Sequence, residues 1–433
     1  MTAFTDARTL ADGTEISPDL VIIGGGPAGI SLGLALKDTP FSILILEGGG
    51  LDFDPATQAL YKGAESGEPY VPLDQGRLRF LGVSSNHCGG FCRPLDPIDF
   101  EERSWVSHSG WPFGLETVRP YFARAPALVA AGPWIYDAME QRLPAGGRNV
   151  LPLGQGGVYT SWFQFSMTQN GGHATYFGQR YGEDLKAAAR IKLWLNAGVT
   201  NLTLAHDAGR LEQLSVATLD GKRFTVKPRF TVLAAGAMEN ARLLLASNDV
   251  MKPGVGNQND QVGRFFADHP IPRNTATLVL FDGQLAPFYL NTQDMHGAVM
   301  RAWLFQSEDY RRKNAVMDSS TTIEHSIELD QLGNAAVAAT ASALGVDAGN
   351  AAAYSLGCGM EVTPDPNRRL TLDTDRDALG MPRLKLHMRI ADSDFAHFRE
   401  TLKELGRQLL ASRTGMLRRT RLRRTSTDFP FTD

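Results

Sequence analysis

The sequence predicts an α/β protein, α+β over its whole length, with one domain on a parallel central sheet and a second on an antiparallel sheet. Three observations predict it. An apolar run at Asp19–Ile23 passes through a glycine turn into a helical pattern. The same order of strand, glycine turn and helix returns over Phe230–Ala246. Elsewhere hydrophobicity alternates with period two, most clearly over Leu384–Ile390, as half-buried antiparallel strands require.

Asp19–Ile23 is short and mostly apolar, which suits a strand covered on both faces. Gly24, Gly25, Gly26, Pro27, Ala28 and Gly29 follow at once, and Ile30–Lys37 reads as a helix with an apolar face. Phe41–Leu46 reads as the second strand and ends in Glu47 and Gly48. Gly24 permits the tight turn, Gly26 lets the backbone approach a pyrophosphate, and Gly29 lets the helix pack close to the sheet. The helix N-terminus adds free N–H groups and the positive end of its dipole. A carboxylate at Glu47 can accept hydrogen bonds from the hydroxyls of an unphosphorylated ribose. The unit predicts a Rossmann-like site for FAD or NAD rather than NADP, and by itself does not separate the first two. A glycine-rich turn without a ligand is the competing reading.

Residues 76–101 are rich in Gly, Ser and Asn at their centre and read as a loop, which at this length is usually functional. They run Arg79, Phe80, Leu81, Gly82, Val83, Ser84, Ser85, Asn86, His87, Cys88, Gly89, Gly90, then Arg93, Leu95, Asp96, Pro97, Asp99, Phe100 and Glu101. This stretch resembles the FAD-dependent glucose–methanol–choline oxidoreductases, especially the branch with bacterial sugar dehydrogenases. Their pattern is Arg-x-Leu-Gly-Gly-Ser-Ser-Asn-His-Trp-Gly-Gly, then Arg-x-Leu-Asp-Pro-x-Asp-Phe-Glu. The resemblance implies FAD, with this loop along the flavin and Ser84, Asn86, Gly89 and Gly90 against the isoalloxazine or the pyrophosphate. Arg79, Gly82 and His87 belong to the same implied cofactor site. Val83 and Cys88 depart from the pattern, and a β-branched Val83 is costly if its φ is positive. For His87 two readings stand: a covalent link to the flavin, or a hydrogen-bonding residue beside a non-covalent cofactor.

Further along, residues 110–125 read as a turn into a helix, and Lys192–Leu202 as one strand. The resemblance implies that Val199 brings its backbone to the adenine. Leu211–Val216 and Arg223–Val226 read as strands around the Asp220–Gly221 turn. In the second strand–turn–helix unit the resemblance places Ala235 and Gly236 against the cofactor. Glu239 and Asn240 stand where many relatives have Ser-Pro, and Asn240 is expected to cap the helix. His269 precedes a proline and reads as structural. Thr275–Phe281, His296–Leu304 and Leu384–Ile390 read as strands of the substrate domain, and residues 334–353 as helix. Phe395, Phe398, Leu402, Leu405 and Leu409 form one helical stripe, hence core. The expected domains are 16–110, 186–272 and 391–433 for FAD, and 111–185 with 273–390 for substrate.

Composition excludes several classes. Lys and Arg (43) nearly balance Asp and Glu (47), so no electrostatic footprint for nucleic acid exists. Cys88, Cys92 and Cys358 are too few for a disulfide scaffold, and no Cys/His cluster predicts a metal. The absence of an apolar run near the roughly 20 residues that span a bilayer, and of an export signal, predicts a cytoplasmic protein. The family's His-His-Met-Gly segment, Ala-Gly-Ser-Ser strand end and Asn-Pro-Thr turn have no match after Leu410. No catalytic histidine is therefore identified. The basic stretch holding Arg418, Arg419, Arg421, Arg423 and Arg424 reads as a solvated terminus. The expected activity is hydride transfer from a CH–OH group, of a sugar or polyol, to flavin N5, with a small alcohol or sugar as partner and the electron acceptor open. The alternative is a truncated or non-catalytic remnant or partner subunit.

Overall fold

The computed structural model describes residues 4–136, 149–154, 156–166 and 176–419, and they fall into two compact units. The first comprises 1–89, 172–266 and 365–389; the second comprises 90–171, 267–364 and 390–433.

In the first unit, Leu20–Ile23 (β1) leads into Pro27–Ala35 (α1) and Ile43–Leu46 (β2); Ile191–Leu195 (β3), Phe230–Leu233 (β4) and Ala237–Ala246 (α2) follow. The sheet order is Phe4–Asp6, β3, β2, β1, β4, all parallel. Every residue of β1 and β2 is buried. Each such apolar side chain contributes roughly 1.5–3 kcal/mol against exposure, so the continuous apolar runs specify central strands. A second, four-stranded sheet runs Glu15–Ile16, Arg223–Val226, Leu211–Ala217, Gly198–Leu204. Its Leu202, Leu214, Val216, Phe224 and Val226 share one core with β1 and β2. A third, three-stranded sheet joins Arg369–Arg376, Pro382–Met388 and Ala64–Gly67.

In the second unit an antiparallel sheet carries seven strands in the order Gly415–Arg419, Ala276–Leu280, Ala352–Met360, Ser319–Ile327, Ala298–Gln306, Val158–Phe165, Phe91–Cys92, with Gln293–Met295 hairpinned onto Ala298–Gln306. The helix Asp392–Ala411 buries Phe395, Phe398, Leu402, Leu405 and Leu409, the stripe expected of it.

Several expectations need correction. The domain boundaries fall elsewhere, because pairing decides them. Residues 365–389 join the first unit, since Pro382–Met388 pairs with Ala64–Gly67. The chain beyond Ile390 joins the second, since Gly415–Arg419 pairs with Ala276–Leu280. Lys192–Leu202 is two strands, broken where Asn196 adopts φ 55°. The helix expected over 334–353 is Gln331–Leu344, after which the chain becomes the strand Ala352–Met360. Residues 76–101 are not all loop: Val83–Asn86 and Pro97–Phe100 are short 3₁₀ turns and Phe91–Cys92 pairs with Gln164–Phe165. Arg418 is not frayed; it lies in a strand and pairs with Asp330 at 2.8 Å. Arg421, Arg423 and Arg424 lie outside the described residues.

The Arg93–Glu101 motif braces the second unit. Arg311, with no exposed side-chain surface, donates to Asp96 at 2.8 Å and Asp99 at 3.0 Å and stands 3.7 Å from Asp318. Asp99 also accepts from the Asp96 N–H at 2.8 Å, which fixes the turn. Burial pushes the Asp318 carboxyl up to about 6, against the pull of Arg311.

Candidate functional site

A cleft of the first unit opens at the C-terminal ends of β1 and β2, where an open parallel sheet places its ligands. It measures about 510 Å³ including its solvent-open mouth. Gly24, Glu47, Gly48, Arg79, Val199 and Ala235 line it, so six residues singled out from sequence are brought together from five separate segments. Tyr61, Val83, Glu239 and Met381 also line it, and none of these four was assigned to the site from sequence.

The turn after β1 is built by close approach. Gly24 has φ 114°, and a Cβ there would lie 2.5 Å from the Ala234 carbonyl oxygen. Its N–H donates to Leu46 O at 2.8 Å, which ties β1 to β2. Gly26 is the N-cap residue of α1 in extended conformation, Pro27 and Ala28 open the helix, and a side chain at Gly29 would collide with the Gly24 carbonyl. The three glycine roles read from sequence thus have two direct structural counterparts, at Gly24 and Gly29.

Glu47 is 3% exposed. Its Oε2 accepts from the Gly25 N–H and its Oε1 from the Gly49 N–H, both at 2.8 Å. Burial raises its pKa, opposed by those N–H groups and by Arg79. Arg79 lies across Gly48, where any side chain would collide with its guanidinium, and 4.9 Å from the Tyr61 ring centroid. Burial disfavours the charge on Arg79; Tyr61, Glu239, Glu47 and Asp377 outweigh it, so its pKa is raised.

Glu239, on the first turn of α2, faces three arginines: Arg77 at 2.9 Å, Arg242 at 3.3 Å and Arg79 at 3.7 Å. Burial alone would raise its pKa; Arg77, Arg242 and Arg79 together lower it. Arg242 in turn pairs with Asp377 at 2.7 Å, the two side chains 3% and 1% exposed. The signal for this cluster was visible in sequence only as the departure from Ser-Pro at Glu239.

The loop residues divide. Gly82 has φ 91°, and Val83 has φ 50°, the costly conformation anticipated for a β-branched residue. Asn86 donates to Leu81 O at 3.0 Å and so holds the turn itself. Ser85, not Ser84, is the buried serine, donating to Gly82 O at 2.6 Å and accepting from the Phe177 N–H at 3.2 Å. His87 and Gly89 are exposed, and Gly90, with φ 73°, belongs to the second unit. Gly236 stands exposed at the N-cap of α2 with φ 82°. Asn240 does not cap that helix: one turn in, its Oδ1 accepts from the Ala235 N–H at 3.0 Å, where it pins the strand-to-helix turn. His269 is exposed beside Asp268. No group of three or more His, Cys, Asp or Glu able to hold a metal occurs among the described residues, and none of their helices is long and apolar enough to cross a membrane.

No family model and no curated protein matches the chain. Solved structures do. Pyridoxine 4-oxidase from Mesorbium loti is similar over 91% of this chain and 79% of its own, with a TM-score of 0.53 and 18% identity. A formate oxidase is similar over 94% of this chain and 82% of its own, with a TM-score of 0.51 and 15% identity. A formate oxidase from Aspergillus oryzae RIB40, solved to study its FAD modification, covers the same shares with a TM-score of 0.50 and 14% identity. At these identities the likeness is one of fold. That fold, one unit on a parallel sheet and one on an antiparallel sheet, is the one implied by the glucose–methanol–choline resemblance.

Proposed function

We propose that the chain binds FAD in the cleft of its first unit and is an oxidoreductase acting on the CH–OH group of a small alcohol, of the sugar or polyol class. The observation that carries this reading is the convergence of Gly24, Glu47, Gly48, Arg79, Val199 and Ala235 on one cleft at the ends of parallel strands. The residues fit a dinucleotide: a side-chain-free turn beside a helix N-terminus, an arginine turned into the cleft, and an apolar wall at Val199 and Ala235 for a flat base. A bound flavin would supply a two-electron acceptor for the alcohol carbon. Gly24 makes the tight turn beside its seat, Gly48 leaves room for Arg79 to lie across that glycine, and Glu47 holds the turn that shapes the seat. The solved oxidases of this fold act, by name, on pyridoxine and formate, which supports redox chemistry without fixing the substrate. A cytoplasmic location and an electron acceptor outside this chain belong to the same reading.

Among the described residues no histidine lines the cleft, and this observation favours a second reading, a flavin-binding module without turnover. One experiment separates them. The purified chain is loaded with FAD, its visible spectrum is recorded, and glucose, sorbitol, pyridoxine and formate are added without oxygen. Bleaching supports the oxidoreductase; a yellow protein that none of them bleaches supports the binding module; failure to take up FAD refutes both. Acid denaturation that releases all flavin excludes a covalent link at His87.

A further inference from the structure

We propose that Arg79 is the phosphate-binding residue of this cleft, its guanidinium kept for a phosphoryl oxygen of the ligand; the inference rests on the dinucleotide reading above. The contrast among the three arginines around Glu239 carries it. Arg77 spends its donors on the protein: on Glu239 at 2.9 Å, Leu73 O at 3.0 Å and Tyr61 O at 3.4 Å. Arg242 does the same, on Asp377 at 2.7 Å, Pro382 O at 2.8 Å, Leu60 O at 3.1 Å and Glu239 at 3.3 Å. Arg79 donates nothing from its side chain to any described residue. Its nearest carboxylate oxygen, on Glu239, is 3.7 Å away, its Nε is buried without an acceptor, and its side chain is 12% exposed.

A guanidinium stripped of most of its water, with no acceptor in return, is costly unless something else takes its donors. Glu47 does not: among the described residues no hydrogen bond or ion pair joins it to Arg79, and its two oxygens are held by the Gly25 and Gly49 N–H groups. Glu47, Glu239 and Tyr61 nevertheless surround Arg79 and hold it in the cleft over Gly48. A planar fork of donors facing a cleft beside a glycine turn matches the oxygens of a phosphate. In a dinucleotide that phosphate is either the pyrophosphate bridge or a ribose 2′-phosphate.

The test uses the full chain as wild type, Arg79→Gln and Arg79→Lys. FAD is titrated by flavin fluorescence, and ADP, adenosine, NADH and NADPH by calorimetry. Arg79→Gln is expected to weaken FAD and ADP about 10- to 100-fold, the range of charge-assisted hydrogen bonds, and to leave adenosine within about twofold. Arg79→Lys is expected to restore part of the loss. Loss confined to NADPH relative to NADH also supports the proposal and moves the contact to the 2′-phosphate. Equal loss for adenosine overturns it, because Arg79 then only shapes the pocket; so does affinity for FAD, ADP, NADH and NADPH that is unchanged throughout in Arg79→Gln. A wild type that binds none of the five ligands refutes the dinucleotide reading itself, and the inference falls with it.

Discussion

Replacing Gly24 by alanine should damage stability and ligand binding together, and the structure gives the size of the effect. Two costs add. At φ 114° the backbone occupies a region that L side chains rarely adopt, which costs on the order of 1–3 kcal/mol for a non-glycine residue. The new Cβ would also stand 2.5 Å from Ala234 O, 2.7 Å from Ala234 C and 2.9 Å from Ala235 Cα. Ordinary carbon contacts begin at about 3.5 Å, so the end of β4 must retreat by about 1 Å, an overpacking that costs roughly 1–3 kcal/mol. The sum is about 4 kcal/mol, a large share of the roughly 5–15 kcal/mol that holds a folded protein. Because Ala235 lines the cleft, the retreat also moves its wall. Urea unfolding followed by circular dichroism measures the first effect, and FAD titration by fluorescence quenching the second. A Gly24→Ala protein within about 1 kcal/mol of wild type, binding FAD equally well, would show that the β1 turn neither needs glycine nor shapes the site.

Three further outcomes follow from the same geometry. Asp377→Asn leaves Arg242, 3% exposed, without its nearest counter-ion, and should cost about 3–5 kcal/mol in chemical unfolding; a loss below about 1 kcal/mol would mean that Glu239 and the carbonyls suffice. Val83→Gly relieves a β-branched residue at φ 50°, and the relief of about 1–3 kcal/mol should exceed the roughly 0.5–1 kcal/mol that glycine loses in chain entropy, so the melting temperature should rise rather than fall. Asp318 has its folded pKa raised to about 6 from 3.8. Its ionised form is therefore the disfavoured one: the associated stability is present at low pH and is lost as pH rises through about 6. Asp318→Asn should stabilise the protein above pH 6 and flatten its stability profile between about pH 4 and 6, by at most about 2 kcal/mol once its 36% exposure is discounted. An unchanged pH profile of unfolding would refute that assignment.

How much of this was legible in the sequence depends on the range of the interaction. β1, α1 and β2 could be read because each is specified within itself, by an apolar run, a glycine turn or an apolar helix face. The stripe on Asp392–Ala411 was legible for the same reason. The domain boundaries were not, since Ala64–Gly67 finds its partner more than 300 residues away, in Pro382–Met388, and no local pattern announces that pairing. Asn196 could have been read: an Asn followed by Ala-Gly is a turn signal, and its φ of 55° splits the strand there. At the site, Gly24, Glu47 and Gly48 could be placed near one another because each stands just past the end of an apolar strand run visible in the sequence. Tyr61 and Met381 could not, because each is an unremarkable residue until the fold brings it to the cleft.

The Arg93–Glu101 motif shows why resemblance and role must be argued separately. Its sequence matches the flavin-loop pattern as closely as the Ser84–Asn86 stretch does, yet its carboxylates at Asp96 and Asp99 are spent on Arg311, a side chain with no exposed surface. A buried guanidinium loses its hydration, and two or three carboxylates must replace it. That demand alone can hold the motif in place, with no ligand involved. Arg79 presents the opposite case. It is nearly as buried, but its protein surroundings offer charge without hydrogen bonds. A structural arginine should resemble Arg242, whose Nε, Nη1 and Nη2 each donate to the protein. The one whose donors are left unmatched, in a cleft, is where the argument for a ligand is strongest.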